Sequence, residues 1–559
     1  MSFKEVSGLE VLNLAFEGVA DKKQAKLRGF KLQLANSRIL IPSIYFQFKH
    51  INDELDLNSL RAKVSIKDSY VTPFDVASLM PQLSSFKQKV FIDGKLESIG
   101  RKVKINSLNI LSDNNDVRVE IRGIINDIET FNNFNLFAKR VSIKTEIIKK
   151  LSSLFHIDIP KELYNLGSIQ YSGIVKKVNS EYTVNGKLNT SEGNAKLNLA
   201  LKGKTFKGKV KTNYFNLGNV FTNSGVKGIV ADIGISGTTD FQNISANGLI
   251  PQFDYAGYSY RNIAVRGNYS KDTFRGRASL NDINGKLNFN GTIRNFSSLI
   301  DKKGKLFIDA FVEADKLNLK RLKLSDAVGD KAFTFTSHIK GRGSSLNDLI
   351  AQLDLNNFTM LENGKVLKIN YLKLNTQNSF LNKFVDINSD FGDLHLSGHY
   401  DYKTIQNSIV NILTYYLPGL FNHKSFSING NNDFVARLNI TNPEILNQLF
   451  KLNLNLGQHL NIDGYVNERS KQISLNLDAP DIIYHSHHVE NLLFSLSTSS
   501  NHLLAQVSGD RIDDSGRKIS ITSNGVVGSG KISTHSSFNI EGNHPLTAEI
   551  DCNAILHRV

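Results

Sequence analysis

The residues whose types could do chemistry are few and scattered. The segment "HSHH" holds His485, His487 and His488. On an extended strand His485 and His487 share a face, because successive side chains alternate, and two imidazoles on one face can ligate a metal. No third ligand accompanies them, so a turn or surface placement is the simpler reading. Two acidic groups stand out, Asp113 with Asp116 in "SDNND" and Asp510 with Asp513 and Asp514 in "GDRIDDSG". Paired carboxyls can cleave a glycoside when they flank the scissile bond. Here both groups lie in turn-forming sequence, where aspartate bonds the nearby backbone. Cys552 is the single cysteine, which excludes an internal disulfide and a Cys-type zinc site. Its reactivity would need exposure and a lowered pKa. The H-E-x-x-H, P-loop and G-x-S-x-G patterns do not occur. The sequence therefore assigns no catalytic residue, no metal ligand and no cofactor, and the expectation is a protein that is not an enzyme.

The elements that would position any site read as strands. Between Ala195 and Leu201 the odd positions Ala195, Leu197, Leu199 and Leu201 are apolar, and Lys196, Asn198 and Lys202 fall on the other parity. After a turn at Gly203 and Lys204, Phe206, Val210 and Tyr214 continue one row. The same period of two recurs in "DLHLSG" with Leu394 and Leu396, and in "QISLNLDA" with Ile473, Leu475 and Leu477. Such alternation marks half-buried strands. The Gly, Asn and Ser between them leave room only for short turns, which fits an antiparallel meander.

A second pattern overlies the first. "SYVTPFDVASLMPQLSSF", "KRVSIKTEIIKKLSSLF", "TNYFNLGNVF", "ADKLNLKRLKL" and "NITNPEILNQLF" each end a strand and then offer a brief helical or turn-like segment. In the second of these, Ile143, Ile147, Leu151 and Leu154 have helical spacing. These units recur about every 70 residues at first and at longer intervals later, as in a stacked rather than a globular chain. Approximate repeat-like segments are 1–90, 91–160, 161–225, 226–320, 321–440 and 441–559 of one continuous region. The longest helix candidate, Thr404 to Leu420, carries an amphipathic stripe of Ile405, Ile409, Ile412 and Tyr416 and ends at Pro418 and Gly419. Core packing against the sheet is its plain explanation, and contact with lipid or a partner helix is the other.

Composition bounds the partners. Apolar residues make up 40% of the 559, with 34 Phe, 17 Tyr and only nine Pro, so the chain is not disordered. A formal charge of +15 favours anionic partners, although lysines spread among strands also protect sheet edges. No nucleic-acid-binding motif is present. No run of 18 apolar residues occurs and no signal peptide is visible at the N-terminus, which begins within β-like sequence.

A sheet with one apolar face must cover it. A second sheet can do so, or closure into a barrel, or a lengthwise curl that presents the face to a hydrophobic ligand. The long strand series without closure signals, and its repeated helical interruptions, favour the third. The expected fold is all-β dominated, an elongated, twisted antiparallel β-groove with short interspersed helices. Its greasy rows would face and carry lipid acyl chains.

Three stretches resemble the TamB-type proteins of Bacteroidota, in the AsmA-like group: Gly248 to Gly291, Ser389 to Pro418, and "SFKEVSGLEVLNLAFEG" at the start. The resemblance implies a β-rich groove in the periplasm, held to the inner membrane by a segment absent from this sequence. It implies phospholipid passage towards the outer membrane as part of a translocation and assembly module. It also implies two partners, a TamA-like outer-membrane barrel and the remainder of a longer TamB-like chain. Assembly of outer-membrane proteins by strand pairing is the alternative function. The matching apolar positions Leu197, Leu199, Phe206, Val210, Leu394, Leu396, Leu475 and Leu477 would by this resemblance be groove lining, and the family supplies no catalytic or metal residues. The sequence departs from the family layout in lacking its N-terminal anchor and its C-terminal domain, which points to a fragment.

Overall fold

The computed structural model describes residues 2–4, 8–51, 54–155, 161–222, 225–301, 303–378, 383–417, 430–450, 452–528, 531–542 and 545–555. Strands dominate, and short helices interrupt them: α1 (Thr145–Phe155), α2 (Ser298–Asp301), α3 (Ser408–Tyr416) and α4 (Glu444–Phe450). The expected end of the long helix at Pro418 and Gly419 lies outside the described residues. The chain divides into two compact units, one of Met1–Lys271 with Leu280–Asp282 and one of Asp272–Ser279 with Ile283–Val559.

The first unit is an antiparallel meander from Asn13–Ala20 to Tyr258–Ser270, each strand pairing with its neighbours in sequence. No pairing joins its first strand to its last among the described residues, so this sheet is open and not a barrel. At about 4.8 Å between strands, fifteen of them span roughly 70 Å measured across the sheet.

The interruptions of this sheet follow a rule. The 3-10 turns Pro73–Val76 and Pro81–Ser85 follow strand Glu54–Val71, α1 follows Asn133–Lys144, and a turn reaching Phe221 follows Thr205–Asn216. These strands stand four apart in the meander, so all three insertions leave from the same sheet edge. A register shift precedes each one, at Ile66/Ser69, Ala138/Arg140 and Lys211/Phe215. Bulges bend a strand and leave backbone groups unpaired, and hydroxyls repair two of them. Ser69 Oγ accepts from Leu40 N at 2.8 Å, and Thr212 Oγ1 accepts from Ala231 N at 2.9 Å. The sequence segments that close a strand with a helical run are these edge insertions.

Among the described residues the second unit is also an open antiparallel meander, from Gly285–Arg294 to Leu546–Ile555. A turn enclosing the fully buried Leu322 follows Leu306–Leu317, and α4 follows Asp433–Ile440 at the same edge. Helix α3 instead follows Gly392–His399 and leaves from the opposite edge.

Candidate functional site

The registers turn local alternation into long rows, because directly paired residues of an antiparallel sheet lie on one face. One row of the first unit starts Gly18–Leu27–Ile44–Val64–Leu96–Ile105–Gly123. It continues Leu136–Val175–Val184–Leu199–Gly208–Ile235–Ala246–Gly267. No polar side chain interrupts it. Leu136, Val175, Val184, Leu199 and Ile235 are half-buried, neither sealed nor fully exposed. Glycine at 208 is required by close approach, since a Cβ there would lie 2.0 Å from the Asn198 carbonyl oxygen.

The structure places Leu199 in this row. Leu197 and Val210 sit directly opposite each other in the row on one side of it, and Phe206 lies opposite Leu201 in the row on the other side. These four share one face. Phe206 also meets Phe241 edge-on, with ring centroids 6.0 Å apart.

The second unit repeats the arrangement. Leu396 and Leu475 belong to the row Val385–Leu396–Ala436–Gly464–Leu475–Leu496–Ala505. Leu394 and Leu477 belong to the adjacent row Ile387–Leu394–Leu438–Ile462–Leu477–Phe494–Val507. The opposite face carries Asp386–His395–Arg437–Asp463–Asn476–Ser495–Gln506–Asn524–His535–Asp551, polar throughout. A cavity of about 390 Å³ opens among Asp463, Asn476, Ser495, Gln506 and Asn524, so it belongs chiefly to this polar face.

Part of the apolar face here is covered by α3. Ile412 is fully buried and Tyr416 nearly so, in a cluster with Phe434, Val466, Ile473, Leu503 and Val527. Leu396, Ala436, Leu475 and Ala505 pack against that cluster, and Leu477 packs in a neighbouring cluster with Leu446 of α4. Ile405 lies in the 3-10 turn before α3 and joins the same packing, whereas Ile409 is 37% exposed. Three polar side chains of α3, Ser408, Asn411 and Thr414, are buried instead. Asn411 meets Glu468, which is 0% exposed, and Ser408 meets Asn432. Asn411 Nδ2 donates to Glu468 at 2.7 Å, Asn432 N donates to its other oxygen at 2.8 Å, and Asn432 Nδ2 donates to Ser408 Oγ at 2.9 Å. Buried polar groups need such partners, and these bonds fasten the helix. The apolar stripe of α3 was readable from its spacing, but this polar latch joins residues 24, 36 and 57 positions apart and had no local signal.

The remaining chemistry-bearing residues do not converge. His485 occupies a hairpin turn with φ +55°, so it shares no strand face with His487, and His488 Nε2 lies 2.9 Å from Asp481. Asp116 pairs with Lys144, and Asp513 caps a turn with Ser515 and Arg517. Asp510 is held down at about 2 by hydrogen bonds from Lys518, Asn491 and Ser520. Cys552 is exposed on the strand Leu546–Ile555. Among the described residues no group of three or more His, Cys, Asp or Glu side chains could hold a metal ion, and no helix is long and apolar enough to cross a membrane. No protein-family model, curated protein or solved structure matches this chain.

Proposed function

We propose that this chain is a non-enzymatic carrier surface, on which lipid acyl chains lie along the apolar rows. One observation carries the reading: the unbroken row from Gly18 to Gly267, whose central side chains remain half-buried. A methylene leaving water gains about 0.8 kcal/mol, so a chain of roughly 16 carbons faces a barrier on the order of 10 kcal/mol without such a surface. Rows of near-equivalent Leu, Val and Ile positions separated by glycine hold a tail without a single deep minimum, which permits sliding. The phrases that resemble TamB-type proteins support a finer reading. In it the cargo is phospholipid and the chain is a periplasmic bridge segment of a longer, membrane-anchored protein in cell-envelope biogenesis. The test is gentle purification followed by mass spectrometry of bound lipid, beside Val184→Asp with Leu199→Asp. Loss of lipid from the variant with an unchanged circular dichroism spectrum supports the reading. Equal lipid content in both proteins refutes it.

A specific observation favours a second reading. Among the described residues the strand Leu546–Ile555 pairs on one side only, and its Leu546, Ile550 and Ile555 are 56%, 52% and 63% exposed. Such an edge can accept another strand, either from an outer-membrane barrel protein during its assembly or from further sequence of a chain of this kind. Crosslinking from Cys552 to a barrel strand would support that role.

A further inference from the structure

The polar face of the first unit differs in kind from that of the second. The first unit carries 38 Lys and Arg against 25 Asp and Glu, and the second 29 against 27. The excess gathers on the four strands from Ser168 to Asn216. Lys187, Lys196 and Lys211 stand directly opposite one another in register, with Lys209 one row away. Like charges directly opposite destabilise a sheet. The local acid, Asp232, is taken by Lys211 at 2.8 Å. Lys187, Lys196 and Lys209 have no ion-pair partner among the described residues, and they border a cavity of about 570 Å³. The same rows carry exposed apolar side chains. Leu249 follows Asp232 in the lysine row and is 60% exposed. Ile174 and Phe137 share the row of Lys209 and are 47% and 38% exposed.

We propose that this face docks on a bilayer surface rich in anionic phospholipid headgroups. Unpaired lysines supply attraction to headgroup phosphates, and the exposed Leu249, Ile174 and Phe137 supply the apolar contact that an interfacial surface inserts. These lysines lie on three adjacent strands spaced about 4.8 Å apart, wider than one phosphate can span. Two of these three apolar side chains, Leu249 and Ile174, are aliphatic, which suits a lipid interface better than nucleobases, which are held by aromatic stacking. This face is the reverse of the apolar row, so docking leaves the proposed acyl track free, and the inference does not depend on it.

The experiment is co-sedimentation of the full chain with vesicles of phosphatidylcholine alone or mixed with phosphatidylglycerol. Binding is expected to the anionic vesicles only and should weaken as salt is raised. The triple variant Lys187→Glu, Lys196→Glu, Lys209→Glu should lower it by roughly an order of magnitude or more, and Leu249→Ser should lower it several-fold. The milder triple change to glutamine guards against misfolding. It removes the repulsion, so the fold should be no less stable while vesicle binding still falls. Equal binding to neutral vesicles, undiminished binding by both triple variants, or tighter binding to single-stranded DNA than to anionic vesicles would each overturn the proposal.

Discussion

The two units use the same sheet and finish it differently. In the first, an apolar row crosses every strand from Asn13–Ala20 to Tyr258–Ser270, and its central side chains are half-buried. In the second, α3 lies on the equivalent face and buries Ile412 completely, with Leu396 and Leu475 packed beneath. The reverse faces differ as well. That of the first unit carries Lys187, Lys196 and Lys209, which have no ion-pair partner among the described residues. That of the second places histidines beside aspartates, with His395 on Asp386 and His535 on Asp551. An alternating sequence thus fixes that a sheet has two unlike faces, while the insertions and the polar residues decide what each face meets.

The largest expected effect lies where the apolar face is covered. Ile412→Ala removes a fully buried side chain and should cost about 2–5 kcal/mol. Hydrogen exchange across Ser408–Tyr416 should accelerate accordingly, while Ile409→Ala should leave it nearly unchanged. Equal effects from both variants would dissolve the distinction between covering helix and open face. Next comes the latch. Glu468→Ala strands the donors of Asn411 and Asn432, and removing a buried hydrogen-bond partner costs about 1–3 kcal/mol. Chemical denaturation should show a loss in that range, and Glu468→Gln, which keeps one acceptor, should recover part of it. In the first unit Leu199→Ala should cost only about 1 kcal/mol, because the side chain is half-buried and its neighbours are Gly208 and Val184. A cost as large as that of Ile412→Ala would mean that the row is a closed core.

The smallest effect is a pH dependence at the end of the second sheet. The carboxylate of Asp551 raises the His535 pKa above its ordinary value, first through a 2.9 Å hydrogen bond and then through its charge. A raised histidine stabilises the fold below its unfolded pKa and loses that contribution as pH rises through the folded value. Amide exchange in Leu546–Ile555, corrected for its intrinsic pH dependence, should therefore quicken modestly as pH passes upward through neutrality. Asp510 acts at the other end of the scale. Its contribution is complete above about pH 4 and fades as pH falls towards about 2.

Much of this architecture was legible in the sequence, for physical reasons. A period of two needs only local side-chain alternation, so Leu197 with Leu199 and Leu475 with Leu477 announce their faces without any knowledge of neighbours. The edge insertions were legible because helical spacing interrupts that period, as at Ile147 and Leu151 of α1, although Ile143, read with them, still belongs to the strand. Register was not legible, since nothing local states that Leu199 meets Gly208 or that Lys187 meets Lys196. Lysines that look dispersed along the chain therefore become a patch only after folding. The same holds for the Glu468 latch and for His485, whose turn conformation depends on the pairing of Tyr484 with His487.

The central claim is that acyl chains lie along the apolar row of the first unit. Its most direct test is photocrosslinking with a phospholipid that carries a diazirine in its acyl chain, followed by peptide mapping. The account predicts adducts at Leu136, Val175, Val184, Leu199 and Ile235 and few at the lysines of the reverse face. Adducts spread evenly over both faces, or none on this row, would contradict it.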